Sequence, residues 1–167
     1  MINNKKIIKS MNDTITAVEM IRALGGSATP ISWGELYTAL QSGVVDGAEN
    51  NPPSLYSSRH YEVCKYYSLD EHTTIPDVLV ISLKIWDKPS TQEKECIQQA
   101  ADESAILQRK LWAESEIKSI EEMKKAGVKI NHPDKEPFIK KVQPFLESYR
   151  KYPEIYSYIE RIQKVEF

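Results

Sequence analysis

The stretch GVVDGAENNPP, residues 43–53, decides the local fold of this chain. An apolar pair, Val44 and Val45, is followed at once by acidic residues, a glycine, two asparagines and two prolines. A strand that ends in such a corner is typical of α/β proteins, which hold small ligands where their parallel strands end. The stretch therefore predicts a short strand or extended run over 44–50 whose end carries a binding site.

Asn50 is the candidate ligand residue of this corner. An asparagine amide both donates and accepts hydrogen bonds, so it can orient a carboxylate or a hydroxyl group. The alternative is that Asn50 or Asn51 is only the N-cap of a following helix over 52–63, which proline opens. Trp33 presents a similar choice between a core position, which its size favours, and a flat wall beside a ligand.

The residues on either side of the corner predict alternating helices and strands. Helices are expected over 14–24, which Gly25 and Gly26 stop, and over 32–42, where Ser32 and Glu35 form a capping box. Between them, 27–31 is expected to be extended because a proline follows Thr29. Strands are predicted at 65–74 and 77–86, and the unbroken apolar run 78–81 predicts burial on both faces of the second.

Residues 90–126 predict one long helix. Ser90 and Glu93 form a capping box, the interior contains no Gly or Pro, and Gly127 ends the run. At about 1.5 Å per residue such a helix is on the order of 50 Å long. A compact domain of this size is roughly 30 Å across, so the helix is expected to span more than one lobe or to meet a partner.

The remaining residues predict a short strand and an amphipathic helical end. VKINH at 128–132 has the pattern of a strand, and 133–152 predicts one or two helices broken at Pro144. The tail, 153–167, repeats the helical spacing with Ile155, Tyr158, Ile159 and Ile162.

Composition excludes several classes of function. The chain has 167 residues, a net charge of −2 and no concentrated basic face, which argues against a nucleic-acid partner. No apolar run approaches the roughly 20 residues of a membrane helix. The first residues, MINNKKIIKSMND, are basic but lack the apolar segment of a signal peptide, so none is predicted.

No cofactor, metal or catalytic motif is predicted. Cys64 and Cys96 lie far apart and are expected to be isolated, half-buried thiols rather than a redox pair. His60, Cys64 and His72 match no ligand spacing of a metal site, and His132, beside a proline, is expected in a turn. Nucleotide-binding and hydrolase signatures are absent from the sequence, so the chain is not expected to be an enzyme.

The run GGSATPISWGELYTALQSGVVDGAENNPPSLYSSRHYEVCKYYSLDEH resembles the DctP family, the extracytoplasmic solute-binding proteins of TRAP transporters. The long helix and the AGVKINHPDKEPF segment fit the same family, and the likeness covers about residues 14–150. The resemblance implies an α/β, two-lobed periplasmic fold that closes on an organic acid, either a dicarboxylate or a sugar acid, and delivers it to membrane permease subunits.

The same resemblance implies the site residues. The asparagine of the G-x-E-N motif, here Asn50, contacts the ligand in the family, and the aromatic residue of the P-x-x-W piece, here Trp33, lies along the pocket. Glu49 belongs to the same motif. The family's anchoring arginine, which pairs with the ligand carboxylate, is replaced by Lys9 or Ser10, depending on a one-residue gap. Lysine keeps the charge but loses the planar fork, and serine loses both.

Length sets the last expectations. Family members have a further N-terminal lobe, so residues 14–167 are expected to be the C-terminal portion of such a protein, one lobe plus the long spanning helix, after an atypical segment at 1–13. The chain is expected to be periplasmic by resemblance, to bind organic acids poorly when alone, and to form a homodimer. The alternative hypothesis is a shortened paralogue without a transport role that acts as a protein-interaction module through its long helix.

Overall fold

A three-stranded parallel sheet forms the first half of the chain. The computed structural model describes residues 7–10 and 15–165. The strands are β1 (Ile7–Ser10), β2 (Ser27–Pro30) and β3 (Gly47–Ala48), in the order β2-β1-β3. Helix α1 (Ile15–Ala23) joins β1 to β2. Helix α2 (Trp33–Ser42) then connects β2 to β3, which lies on the other side of β1. The first two predicted helices and the extended piece at 27–31 are thus confirmed.

The core of this half lies between α2 and the chain that follows it. Leu36, Ala39 and Val45 are buried together, with Ile31 and Leu40 packed against them. Gly43 ends α2 at φ 73°, a left-handed conformation that glycine adopts without strain, and its N–H bonds back to the helix. This turn brings Val45 back under α2 and directs β3 toward the sheet.

The cap of α2 differs from the prediction. Ser32 occupies the N-cap position, but its side chain makes no hydrogen bond to the backbone of the first turn. Its hydroxyl instead donates to the Glu35 carboxylate at 2.6 Å. The predicted capping box is therefore wrong, because the two side chains bond to each other.

A second, two-stranded sheet follows. Helix α3 (Pro52–Ser57) is shorter than the predicted 52–63, since the chain leaves it through Arg59 at φ 60° into a 3-10 turn, His60–Glu62. Strand β4 (Tyr66–Ser68) pairs in parallel with β5 (Lys129–Asn131). These strands confirm those predicted within 65–74 and 128–132, although β4 is the shorter.

The predicted strand at 77–86 is wrong. Residues 75–82 belong to no strand of the described chain, and 83–86 form the one-turn helix α4 (Leu83–Trp86). Leu79 and Val80 are 78% and 80% exposed instead of covered on both faces. An apolar run of this kind predicts a packing partner on each face, and no element in the described part of the chain covers these residues.

Helix α5 (Thr91–Lys125) confirms the prediction of one continuous helix. Both bonds of the capping box are present, with the Ser90 side chain accepting from the Glu93 N–H and the Glu93 carboxylate accepting from the Ser90 N–H at 2.8 Å. Gly127 follows the helix at φ 85°. Burial is confined to its C-terminal end, where Ser119 and Met123 are enclosed, and nearly all of 91–114 is exposed.

Two helices complete the chain. Helix α6 (Glu136–Glu147) continues through Pro144, so the predicted break at this proline is wrong. The helix packs against α1 and α7 (Pro153–Gln163), and this packing outweighs the one backbone bond that the proline removes. A 3-10 turn, Ser148–Lys151, leads into α7, which confirms the helical tail.

Candidate functional site

The carboxyl ends of three parallel strands meet at one edge of the first sheet. In register, Lys9 of β1 lies between Thr29 of β2 and Ala48 of β3. The residues that follow each strand therefore emerge side by side. Because the chain passes from one side of β1 to the other between β2 and β3, this edge is also the switch point of the sheet, where α/β proteins bind ligands.

Asn51, and not Asn50, is the N-cap of α3. The Asn51 side-chain oxygen accepts a hydrogen bond from the Ser54 N–H at 2.9 Å, which is the standard cap geometry. Asn50 lies one residue earlier, outside the helix. Its own side-chain oxygen accepts from the Asn51 N–H at 2.9 Å. The N-cap alternative therefore holds for Asn51 and not for Asn50.

The amide nitrogen of Asn50 is a buried donor with no partner. Among the buried side-chain nitrogen and oxygen atoms of the described residues, Asn50 Nδ2 is the one without a hydrogen bond. Leaving such a group unpaired costs about 1–3 kcal/mol, so native structures seldom keep one without a reason. The Asn50 oxygen is already engaged, which leaves the two N–H bonds of Nδ2 for a ligand oxygen.

Trp33 begins α2 directly after the end of β2. Its side chain is 46% exposed, so the preferred interpretation as a core residue is wrong. The indole and the buried ring of His60 are in an edge-to-face contact, with 5.1 Å between ring centroids and 68° between ring planes. The tryptophan is therefore partly exposed close to the carboxyl edge of the sheet and is held in place by the histidine ring.

Lys9 and Glu49 are brought to this edge by the backbone. Lys9 pairs in register with Ala48, the residue before Glu49. The side chains of Lys9 and Ser10 lie outside the described residues, so the predicted role of Lys9 concerns its position in β1. Glu49 is half-buried and acts electrostatically on His72.

His72 and Asp70 form an ion pair behind the corner. His72 Nδ1 lies 2.8 Å from Asp70 Oδ1, and both side chains are largely shielded from solvent. The hydrogen bond to Asp70, opposed by burial and aided by the charges of Asp70 and Glu49, raises the pKa of His72. The same hydrogen bond lowers the pKa of Asp70. When His72 is protonated, the carboxylates of Asp70 and Glu49 both stabilise its charge.

Tyr67 contacts the corner from the second sheet. Its hydroxyl donates to the backbone oxygen of Asn50 at 2.9 Å. The sequence does not distinguish Tyr67 from any other strand tyrosine, and the pattern around His72 suggests only a metal ligand as its possible role. A half-buried tyrosine needs a hydrogen-bond partner for its hydroxyl. This is the one signal that points to Tyr67, and it depends on burial, which the structure shows.

Neither a metal cluster nor a membrane-spanning helix is found in the part of the chain that the structure describes. In residues 7–10 and 15–165, no group of three or more His, Cys, Asp or Glu side chains is arranged to hold a metal ion. No helix of those ranges combines the length and the apolar character that crossing a membrane requires. Both cysteines are free thiols; Cys64 is half-buried, but Cys96 is exposed, which corrects the expectation for that residue.

Comparison with known proteins gives a consistent result. The model of the family described as bacterial extracellular solute-binding protein, family 7 (DctP), matches residues 8–152. A solute-binding protein of Chromohalobacter salexigens is 42% identical over 158 residues, which are 93% of this chain and 47% of that protein.

Solved structures agree with the sequence match. A TRAP periplasmic solute binding protein from Chromohalobacter salexigens, with bound D-glucuronate, is 40% identical with a TM-score of 0.90 and covers 96% of this chain and 54% of its own. Another from Xanthobacter autotrophicus, with bound β-D-galacturonate, is 40% identical with a TM-score of 0.85, covering 97% and 54%. The chain therefore spans about half the length of the relatives it matches.

Proposed function

Because the chain belongs to family 7 of the bacterial extracellular solute-binding proteins, the DctP family, we propose that it supplies one side of a site for a sugar acid of the uronate class. The observation that carries this proposal is the buried, unpartnered Nδ2 of Asn50 at the switch point of the sheet. The uronates bound to the solved relatives support the choice among organic acids.

Each candidate residue has a role that fits this ligand. Asn50 donates from Nδ2 to a carboxylate or hydroxyl oxygen of the sugar acid. The exposed face of Trp33 covers the apolar face of the sugar ring. Glu49 accepts from a ring hydroxyl, and Lys9 supplies a positive charge for the carboxylate where the family resemblance implies an arginine.

The whole protein is proposed to act in uptake. A solute-binding protein of a TRAP transporter would hold the sugar acid between two lobes in the periplasm and deliver it to the membrane permease subunits. The division of the chain into residues 1–13 and 14–167, the second being the C-terminal portion of that protein, stays a prediction. Since one lobe makes only part of the contacts, the 167-residue chain is expected to bind uronates weakly.

Self-association is a second property that one observation favours. The segment of residues 75–83 carries exposed Ile75, Val78, Leu79, Val80, Ile81 and Leu83. Soluble proteins rarely leave so continuous an apolar segment uncovered, and an identical chain is one available partner. We therefore propose a homodimer of the chain through this segment.

The binding proposal is tested by nuclear magnetic resonance, which detects weak binding. D-glucuronate and D-galacturonate are titrated into ¹⁵N-labelled chain, with succinate as a dicarboxylate and D-glucose as a neutral sugar. In the wild-type chain we expect the resonance of the Asn50 side-chain amide to shift saturably as either uronate is added. In an Asn50→Ala variant we expect no saturable shift at the other residues of the corner. Equal responses to D-glucose and the uronates would refute the proposed ligand class, and a succinate response alone would replace it by dicarboxylates.

A further inference from the structure

The geometry points to Tyr67 as a positioning residue for ligand binding, and this inference rests on the function proposed above. We infer that the Tyr67 hydroxyl holds the backbone of Asn50 so that Nδ2 of that residue faces the ligand. Tyr67 itself makes no contact with the sugar acid in this proposal. It acts through a hydrogen bond of 2.9 Å from its hydroxyl to the Asn50 backbone oxygen.

Two hydrogen bonds fix Asn50 from different directions. The backbone oxygen accepts from Tyr67, and the side-chain oxygen accepts from the Asn51 N–H at 2.9 Å. The first bond sets the orientation of the peptide group and the second sets the rotation of the amide. With both in place, the direction of Nδ2 is determined before any ligand arrives, which reduces the ordering cost of binding.

Tyr67 is well placed to act as a fixed support. It lies in the middle of β4, opposite Ile130 of β5, and the pairing is extended by the Leu69 N–H, which donates to the Asn131 oxygen at 2.9 Å. The support therefore comes from the second sheet, whereas Asn50 follows a strand of the first. The bond between them sets the distance between the corner and the β4–β5 pair.

The hydroxyl remains a donor over the accessible pH range. Burial, together with the charges of Asp70 and Glu116, raises the pKa of Tyr67 to about 12. A tyrosinate would lose the proton that bonds to Asn50, and burial, together with the nearby carboxylates, moves this loss further above neutral pH. The environment of Tyr67 thus preserves the contact on which the corner depends.

The neighbouring tyrosine provides a matched control. Tyr66 is 71% exposed, and its ring lies beneath the Lys129 ammonium at 5.6 Å, on the other face of β4. Tyr67→Phe and Tyr66→Phe remove the same atom from adjacent residues of one strand. A general effect of losing a hydroxyl from β4 would appear in both variants. A positioning role of Tyr67 would change the Asn50 amide in Tyr67→Phe alone.

The experiment measures the Asn50 side-chain amide in the ¹⁵N-labelled 167-residue chain, first without ligand. Tyr67→Phe is expected to shift this resonance and increase its mobility, and Tyr66→Phe is expected to leave it unchanged. With D-glucuronate, Tyr67→Phe is expected to weaken binding by about 2- to 10-fold, the range for one neutral hydrogen bond. Placing 4-aminophenylalanine at position 67, which restores an N–H donor, should return the amide to its original shift.

The outcomes separate this inference from the proposed function. A lower melting temperature in Tyr67→Phe with an unchanged Asn50 amide would overturn the positioning role and leave Tyr67 as a structural residue. Equal amide shifts in the two phenylalanine variants would also overturn it. Absence of any uronate response in the wild-type chain would refute the binding proposal, while the ligand-free amide comparison would still decide the role of Tyr67.

Discussion

Replacing each of the adjacent asparagines by alanine should have opposite effects on stability and binding. Asn51→Ala removes the N-cap of α3, whose side-chain oxygen accepts from the Ser54 N–H. Losing such a cap costs about 1 kcal/mol, within a range of about 0.5–2. For a chain of this length that corresponds to a fall in melting temperature of roughly 2–4 °C.

Asn50→Ala removes one good hydrogen bond and one unsatisfied donor. The bond from the Asn51 N–H is worth about 0.5–1.5 kcal/mol, and the buried, unpartnered Nδ2 costs about 1–3 kcal/mol. With the middle of each range, the difference predicts a free energy of unfolding about 1 kcal/mol higher than that of the wild type. A residue kept at a cost to stability is what a binding role requires.

The assay combines urea unfolding at neutral pH with the uronate titration. We expect Asn51→Ala to be less stable than wild type but still to respond to D-glucuronate, and Asn50→Ala to be at least as stable but unresponsive. If Asn50→Ala loses as much stability as Asn51→Ala, the Nδ2 donor is satisfied in solution and the reasoning from its burial fails.

The remaining predictions concern the ion pair behind the corner and the exposed apolar segment. The pKa of His72 is raised above 6.5, so the stability that protonated His72 contributes is complete below pH 6.5 and is lost as pH rises through the folded-state pKa. The pKa of Asp70 is lowered below 3.8, so the stability that ionised Asp70 contributes is lost as pH falls through the folded-state pKa of Asp70. Urea unfolding should therefore show a larger deficit of Asp70→Asn relative to wild type at about pH 5.5 than at about pH 9, and equal deficits would contradict the pair. Light scattering at micromolar concentration should give a mass above 19.2 kDa for the wild type, a monomer for Val80→Asp, and no change for Thr74→Asp as control. A monomeric wild type under these conditions would rule out association through residues 75–83.

Local signals predicted the parts of the fold that local interactions determine. Helix α5 was predictable because its cap, its uninterrupted interior and Gly127 act within a few residues of one another. The corner at Asn50 was predictable for the same reason. Whether Asn50 or Asn51 caps α3 depends on one backbone torsion, which residue types do not specify.

Non-local features were predicted poorly. The apolar pattern of Val78–Ile81 predicts burial, but these residues are exposed. The pattern indicates that a run needs a packing partner and does not show that the partner is present. The helix through Pro144 depends on packing against α1, more than a hundred residues away in sequence. Tyr67 became a candidate only when the structure placed its hydroxyl against a backbone oxygen 17 residues away.

The uneven burial of α5 has a consequence for its local opening. Hydrogen exchange at an amide reports the free energy of the smallest opening that exposes it, and buried contacts set that value. The turns around Ser119 and Met123 are held by the body of the molecule, whereas the turns from Thr91 to about residue 114 are held by their own backbone bonds, the Ser90 cap and surface side-chain contacts such as that of Gln98 with Asp102. Protection is therefore expected to fall steadily from the C-terminal to the N-terminal end of a single uninterrupted helix, so that one element contains both the slowest and some of the fastest exchanging amides of the chain.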